Sequence, residues 1–304
     1  MTDLADGPSP IRHPLVADGA PLYTRLRAVV DAGVNRLPLH GLLGAQIVEI
    51  LPGRCTFTQR VDSRVLDDAG RLIPGTLFVA ADGALGSAIG TCVPASLSMT
   101  TLELSVEFVR LGRPSADQLT VWAGLNQVSE LSALASGEIT AGGEAIARIS
   151  TRCALIPRPP SAPVPTPPDQ PGFPAQPDGP GTDDWRAHLR PRLQSVSADG
   201  ATVTGVADRG LVNSRGDTQG GVLGLLAEQA ITAALDVAAP VVGGGPPDAA
   251  TFDVTFVRPS VGNDAVLTAT STVEHAGRRF AVARAVVTDP RGRPLVLARG
   301  TRLR

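Results

Sequence analysis

At 304 residues the chain is long enough for two domains of ordinary size, and its 43% apolar content supports a sizeable core. That load falls on Ala, Val, Leu and Ile, because aromatic residues make up only 3%. The formal charge of −2 leaves neither a basic footprint for nucleic acid nor an acidic tail.

No lysine occurs, so every basic residue except histidine is an arginine. Cys55, Cys92 and Cys153 are an odd count without metal-ligand spacing, which points to buried thiols in a reducing compartment. Residues 1–20 carry acids and prolines instead of a basic start and an apolar run, so no secretory signal is read there. The expectation is a cytoplasmic protein with a disordered tail over 1–20. Leu72 to Leu102 is the most apolar window, but Asp82, two prolines and several glycines favour a buried helix and a turn over a membrane span.

Pro21 to Asp31 reads as a short helix with Leu22, Leu26 and Val29 on one face. Gly44–Leu51 and Arg54–Val61 alternate as strands around the turn dipeptide Pro52-Gly53. A loop with Asp67, Asp68 and Gly70 leads to Pro74-Gly75. Leu77, Val79, Ala80, Ala84, Leu85 and Ile89 then predict an apolar helix of about four turns ending near Gly90. Strand-like runs follow at Thr100–Arg110, Leu119–Val128, Ala133–Thr140 and Ala145–Leu155. Residues 157–181 are dense in proline and read as a stiff, partly extended linker.

Beyond the linker the pattern returns. Asn213, Gly216, Gly221 and Glu228 repeat the spacing of Asp67, Gly70, Gly75 and Asp82. Leu193–Gly205 matches Gln46–Thr58, with Asp199-Gly200 in the place of Pro52-Gly53. Phe256-Val257-Arg258 matches Phe108-Val109-Arg110, Leu267-Thr268 matches Leu119-Thr120, and Thr301-Arg302 matches Thr151-Arg152. Matches held in register at an offset near 148 imply a tandem duplication. The expected units are residues 21–156 and 182–304, each an antiparallel sheet that wraps one apolar helix, packed as a pseudo-dimer about a two-fold axis.

Asn213-x-x-Gly216-x-x-Gln219-Gly220-Gly221, with a carboxylate nine residues past Gln219, resembles the hotdog-fold acyl-CoA thioesterases of the phenylacetyl-CoA and 4-hydroxybenzoyl-CoA type. Phe256-Val257-Arg258-Pro259 also looks like that family's strand after the helix. The first copy keeps the spacing but has Asp67, Ile73 and Pro74 where the family has Asn, His or Gln, and Gly. The resemblance implies an α+β double hotdog with two antiparallel sheets. It also implies sites shared between halves, the carboxylate coming from one helix and the Asn and Gly from the other half's loop.

Two composite sites follow from that sharing. One would join Asp82 to Asn213, Gln219 and Gly220. The other would join Glu228 to Asp67, Ile73 and Pro74. Asp82 is the only charged residue between Leu72 and Leu102, and a lone carboxylate in an apolar helix needs a partner or a task. Burial would raise its pKa toward the range of a working base, which would activate water or attack a thioester carbonyl directly. Gly220 offers a helix-terminal N–H to an oxyanion, whereas Pro74 has none. Asp67 would set a negative charge beside that oxyanion. The first site is therefore expected to work and the second to be degenerate. Thr101 begins the strand after Asp82's helix, where some family members carry a hydroxyl, and its counterpart lies near Ala249.

Arg110, Arg258, Arg278 and Arg279 are candidates for the phosphates of coenzyme A. No metal spacing, Ser-His-Asp set or Gly-x-Ser-x-Gly elbow occurs, and Gly243-Gly-Gly245 reads as a loop. The expectation is an acyl-CoA thioesterase that needs no metal or redox cofactor, meets coenzyme A only as part of its substrate, and binds neither nucleic acid nor membrane. The few aromatics favour an aliphatic acyl group, and double-hotdog units could associate further as homo-oligomers. The alternatives are a non-catalytic acyl-CoA-binding protein and a hotdog-fold enoyl-CoA hydratase.

Overall fold

The computed structural model describes residues 21–31, 38–158, 185–213, 215–241, 249–260 and 264–303. The expected tail, nearly all of the Pro-rich linker and the Gly243–Gly245 loop lie outside the described residues. The first half comprises helix α1 (Pro21–Asp31), the short helix α2 (Pro38–Leu42), strands β1 (Ala45–Leu51) and β2 (Arg54–Arg60), helix α3 (Pro74–Gly90), and strands β3 (Leu97–Phe108), β4 (Gln118–Val128), β5 (Ser132–Ala141) and β6 (Glu144–Pro157). The second comprises the short helix α4 (Trp185–Leu189), strands β7 (Arg192–Ser197) and β8 (Gly200–Val206), helix α5 (Gly220–Ala238), and strands β9 (Ala250–Phe256), β10 (Val266–Ala276), β11 (Phe280–Thr288) and β12 (Pro294–Leu303). The short helices α2 and α4 have no counterpart in the periodicity, being too short to show one. The β7–β8 turn falls at 198–199, one residue earlier than the Asp199-Gly200 match suggests.

Where two separate sheets were expected, the strands form one antiparallel sheet of twelve, in the order β1-β2-β4-β5-β6-β3-β9-β12-β11-β10-β8-β7. Read outward from the middle, the second six repeat the first six with each number raised by six. The two sheets merge because β3 and β9 are the inner edges of their halves. An edge strand leaves a row of N–H and C=O groups open, and here each edge satisfies the other. Glu103 pairs with Thr255 and Phe108 with Ala250, which puts Ser105 opposite Asp253 at the centre of the join. The Ser105 hydroxyl donates to Asp253 Oδ1 across it, at 2.6 Å.

Helices α3 and α5 lie buried inside the curve of the sheet and pack on each other. By composition α5 is long and apolar enough to cross a membrane, yet most of that apolar surface is packed inside the fold. The close approach of the two helices depends on glycine. A Cβ on Gly221 would sit 2.5 Å from the carbonyl oxygen of Phe78 and from Val79 Cα, and one on Gly75 would sit 2.5 Å from Leu225 Cδ1. Phe78 of α3, Phe108 of β3 and Phe252 of β9 meet at ring distances of 5.8–6.5 Å, so the core runs through the join.

Helix α4 ties the start of the second half to the loop before Asp67. The Trp185 indole donates to the carbonyl of Arg64 at 2.7 Å, and Arg186 Nη1 donates to that of Ser63 at 2.9 Å.

The glycine contacts carry a prediction that opposes helix propensity. Alanine is favoured over glycine in a helix by about 1 kcal/mol. Gly221→Ala should nevertheless destabilise the protein by about 1–3 kcal/mol, because its methyl meets rigid backbone of α3. Urea unfolding measures it; an unchanged or raised midpoint would mean that the helices can move apart freely.

Candidate active site

Two helix N-termini face each other's carboxylates. Neither Ile73, which precedes α3, nor Gln219, which precedes α5, caps its helix with its own side chain. The first amides of a helix have no partner within it and must find one elsewhere. Each helix finds its partner on the other. Asp82 of α3 accepts the Gly221 N–H of α5 on Oδ2 at 3.3 Å. Glu228 of α5 accepts the Gly75 N–H of α3 on Oε2 at 3.2 Å. A carboxylate at a helix N-terminus is further stabilised by the helix dipole.

The two carboxylates then differ. Asp82 Oδ2 also accepts from the Gln219 amide at 2.7 Å, and Oδ1 accepts from the Thr101 hydroxyl at 3.1 Å. Gly220 stands beside it, where a Cβ would lie 3.0 Å from Asp82 Oδ2 and 3.2 Å from the Phe256 ring. Asp82 is half-buried, whereas Glu228 is 1% exposed. Burial raises the Asp82 pKa above the usual carboxylate range, opposed by the bonds from Thr101 and Gly221 and by the charge of Arg215. Burial pushes Glu228 up to about 7, against a bond from Thr232, one turn along its own helix, and the one from Gly75. Ile73, in the position matching Gln219, supplies no donor and packs in a small apolar cluster with Val79, Val222 and Leu225.

The remaining residues singled out in the sequence divide as follows. Asn213 does not bond to Asp82; its Oδ1 accepts the N–H groups of Arg215 and Asp217 at 2.8 and 3.3 Å and so folds the loop that carries Gln219. Asp67 does the same in the first half, with the N–H groups of Ala69 and Arg71 at 3.0 and 2.8 Å. The sequence left its charge bare, but the Arg71 guanidinium pairs with it. Partial burial would raise its pKa, but the Arg71 amide and guanidinium, the latter at 2.8 Å, hold it below the usual range.

Arg110, paired with Glu144 at 2.9 Å, lies beyond the end of β3 opposite Thr101. Arg258 donates to the carbonyl of Pro294 at 2.9 Å, just past β9. Arg278 and Arg279 are exposed in the β10–β11 turn, with β12 between their strands and β9. The four arginines therefore do not converge on one place.

Three residues at Asp82 carried no signal in the sequence motif. Arg215 reaches from the second-half loop to the first half, its Nη1 donating to the carbonyl of Met99 at 2.6 Å. The Cys153 thiol lies 4.0 Å from the Thr101 hydroxyl, and burial together with the charge of Asp82 pushes it up to about 12. His40 of α2 packs where a Cβ on Gly83 would lie 2.4 Å from its Nε2. Burial drives its pKa down to about 4, so it stays neutral beside the carboxylate's helix turn. The bare Gly83 next to Asp82 was the one clue to this contact. A groove of about 540 Å³ runs over the outer face of the sheet along Glu103, Arg152, Asp253 and Thr255, and Asp82 is not part of it. Among the described residues no three His, Cys, Asp or Glu side chains cluster as metal ligands.

This geometry can hold an ionised carboxylate with raised basicity next to a helix N-terminus. No protein-family model and no curated protein sequence matches the chain. Among solved structures, the chain is similar to a tesB protein of Mycobacterium avium subspecies paratuberculosis, at 14% identity and a TM-score of 0.59, over 88% of this chain and 99% of that one. It is also similar to the acyl-CoA thioesterase II TesB2 of Mycobacterium marinum, at 14% identity and a TM-score of 0.56, over 88% of this chain and 98% of that one. The likeness shows the fold, which is α+β and hotdog-like.

Glu228 gives a test of the buried second carboxylate. A group whose folded pKa is raised contributes stability below its unfolded pKa that is lost as pH rises through the folded value. Here the loss spans the range from about 4.5 to about 7 and amounts to roughly 3 kcal/mol. Glu228→Gln removes it, so the variant should gain on the native protein in unfolding free energy between pH 5 and pH 8. Denaturant titrations at the two pH values check this; parallel behaviour of the two proteins would mean that Glu228 does not titrate in that window.

Proposed function

We propose that the chain is a double-hotdog acyl-CoA thioesterase, the product of a tandem duplication. In this reading residues 21–156 and 182–304 are the two hotdog units, packed as a pseudo-dimer, and the chain hydrolyses its substrate at one composite site between them. The observation that carries this reading is the Asp82 carboxylate of one half, held by Gln219 and Gly221 of the other. Its chemistry needs no metal or redox cofactor, and coenzyme A enters only as part of the substrate.

Asp82 acts on the thioester as general base toward a water or as the attacking nucleophile. Thr101 and Gln219 fix its two oxygens, so that the proton or the carbonyl is met in one orientation. Burial keeps the carboxylate basic, and partial exposure leaves it within reach of substrate. The tetrahedral oxyanion needs a donor. Asp82 occupies the Gly221 N–H, but the N–H of Gly220, first residue of α5, has no partner within its helix and lies at the positive end of the dipole.

The second site cannot repeat this. Glu228 occupies the Gly75 N–H, and the residue before it, Pro74, has no N–H to leave over. With Ile73 for Gln219 and no hydroxyl at Ala249, Glu228 is closed in and serves the fold. The scarcity of aromatic side chains favours an aliphatic over an aryl acyl group, though only slightly.

One observation favours a second reading, a non-catalytic acyl-CoA-binding protein. Asp82 and Glu228 cap each other's helices symmetrically, so both could be structural.

A panel of acyl-CoAs with a thiol reagent separates the two. Asp82→Asn should lower kcat/KM by on the order of 10²–10⁴, whereas Glu228→Gln should leave it within a few-fold. The rate should fall on the acid side, as Asp82 takes up its proton. No thiol release above the Asp82→Asn background, with ligand-induced thermal stabilisation retained, would replace hydrolysis by binding.

A further inference from the structure

Arg215 stands at the composite site without a role in the chemistry just described. It lies in the loop that Asn213 folds, four residues before Gln219, and crosses to the first half to bond the Met99 carbonyl at 2.6 Å. Met99 is two residues before Thr101 on β3, so this bond fastens the Gln219 loop to the strand that supplies the other donor to Asp82. The guanidinium is also 3.5 Å from Asp217, a contact in which its side chain stays 42% exposed. The repeat leaves the second site without an equivalent, because the residue in the matching position is Ala69.

We propose that Arg215 is a positioning residue of the composite site. It straps the second-half loop to β3 and, through that strap, keeps a cation beside the strand that holds Asp82. This rests on the thioesterase reading and deepens it. The strap follows from the Met99 bond. The electrostatic effect follows from the same bond: it anchors the guanidinium on β3 two residues from Thr101, whose hydroxyl donates to Asp82, and an opposite charge near a carboxylate favours its ionisation.

The other titratable groups facing Asp82 do not supply this charge. Cys153 on β6 remains a thiol, with its pKa pushed up to about 12. His40 on α2 is neutral above about pH 4. On α5, Glu228 lies seven residues along from Gly221, bonds Gly75 instead, and is an acid. Asp217, on the loop, is an acid and can only partly offset Arg215.

Three variants separate strap from charge. Arg215→Lys keeps the cation, Arg215→Gln keeps a donor for the Met99 carbonyl without the cation, and Arg215→Ala keeps neither. The first readout is the carbon-13 titration of the Asp82 side-chain carboxyl, assigned by its loss in Asp82→Asn, which needs no turnover. The second is the pH profile of kcat/KM for thioester hydrolysis. The Asp82 midpoint and the acid limb should move to higher pH in the Ala and Gln variants and stay near the native position in Lys. On that limb the Ala variant should lose up to about fivefold in rate, the ceiling for a half-exposed charge pair. On the alkaline plateau the Ala variant should lose more kcat than the Gln variant, which still holds the loop.

An unmoved Asp82 titration in Arg215→Ala, or an equal shift in Arg215→Lys, would overturn the charge role. Equal plateau rates in Ala and Gln would overturn the strap. If the native protein hydrolyses no thioester, the function reading fails while the carboxyl titration still decides the charge role.

Discussion

The structure depends on two helix N-termini, each closed by a carboxylate from the other helix. Asp82 takes an amide of α5 and Glu228 takes an amide of α3, at 3.3 and 3.2 Å. Neither bond could form at ordinary helix separation. Gly75 and Gly221 let the helices touch, and the same two residues supply the amides that the carboxylates accept. Close packing and electrostatics are therefore one constraint. A glycine is needed because backbone meets backbone, and a carboxylate is needed because the contact buries unpaired N–H groups. The single sheet follows the same logic one level up, since β3 and β9 close each other's open edges as the helices close each other's ends.

A symmetric frame then carries two unlike carboxylate surroundings, and the difference lies in few side chains. At the position before each helix, Gln219 donates to Asp82, while Ile73 joins an apolar cluster. At the first helical residue, Gly220 has an N–H and Pro74 has none. Burial acts on both carboxylates in the same direction. It is countered at Asp82 by donors and a cation drawn from three segments of chain, whereas the Glu228 donors come from α5 itself and from the start of α3. The result is a partly exposed carboxylate on one side and a closed one, titrating at about 7, on the other.

Much of this was legible in the sequence, and the reason is local. Apolar spacing placed α1 and α3, alternation placed β1 to β6 to within a few residues, and the family resemblance, not spacing, paired Asp82 with the Gln219 loop. These signals reside in short windows. What stayed hidden depends on which parts of two distant segments touch. The sequence offered no reason to prefer the Gly221 amide over that of Gly220, because a helix rotation of about 100°, the step between adjacent residues, decides it. Asn213 looked like a site residue but spends its carbonyl on its own loop, and Asp67 looked like a bare charge but has Arg71. Arg215 was missed because its partner is a backbone carbonyl, which no residue pattern marks.

Under the proposed thioesterase reading, the capping role of Asp82 does not count against catalysis, because the same bonds would let a carboxylate be both buried and reactive. A base needs desolvation to raise its proton affinity, yet an unpaired carboxylate in an apolar helix would simply stay protonated or unfold its surroundings. Fixed donors solve this only if they are too few or too well placed to quench it. Gly221 and Thr101 offset part of the desolvation, and the Asp82 pKa still lies above the ordinary range. Glu228 shows the alternative outcome on the same scaffold. Shut away from solvent, with no Gln219 equivalent and no spare amide beside it, it keeps only the bonds from Gly75 and Thr232. The structural bond is therefore shared by both halves, and the proposed chemistry rests on what each half adds around it.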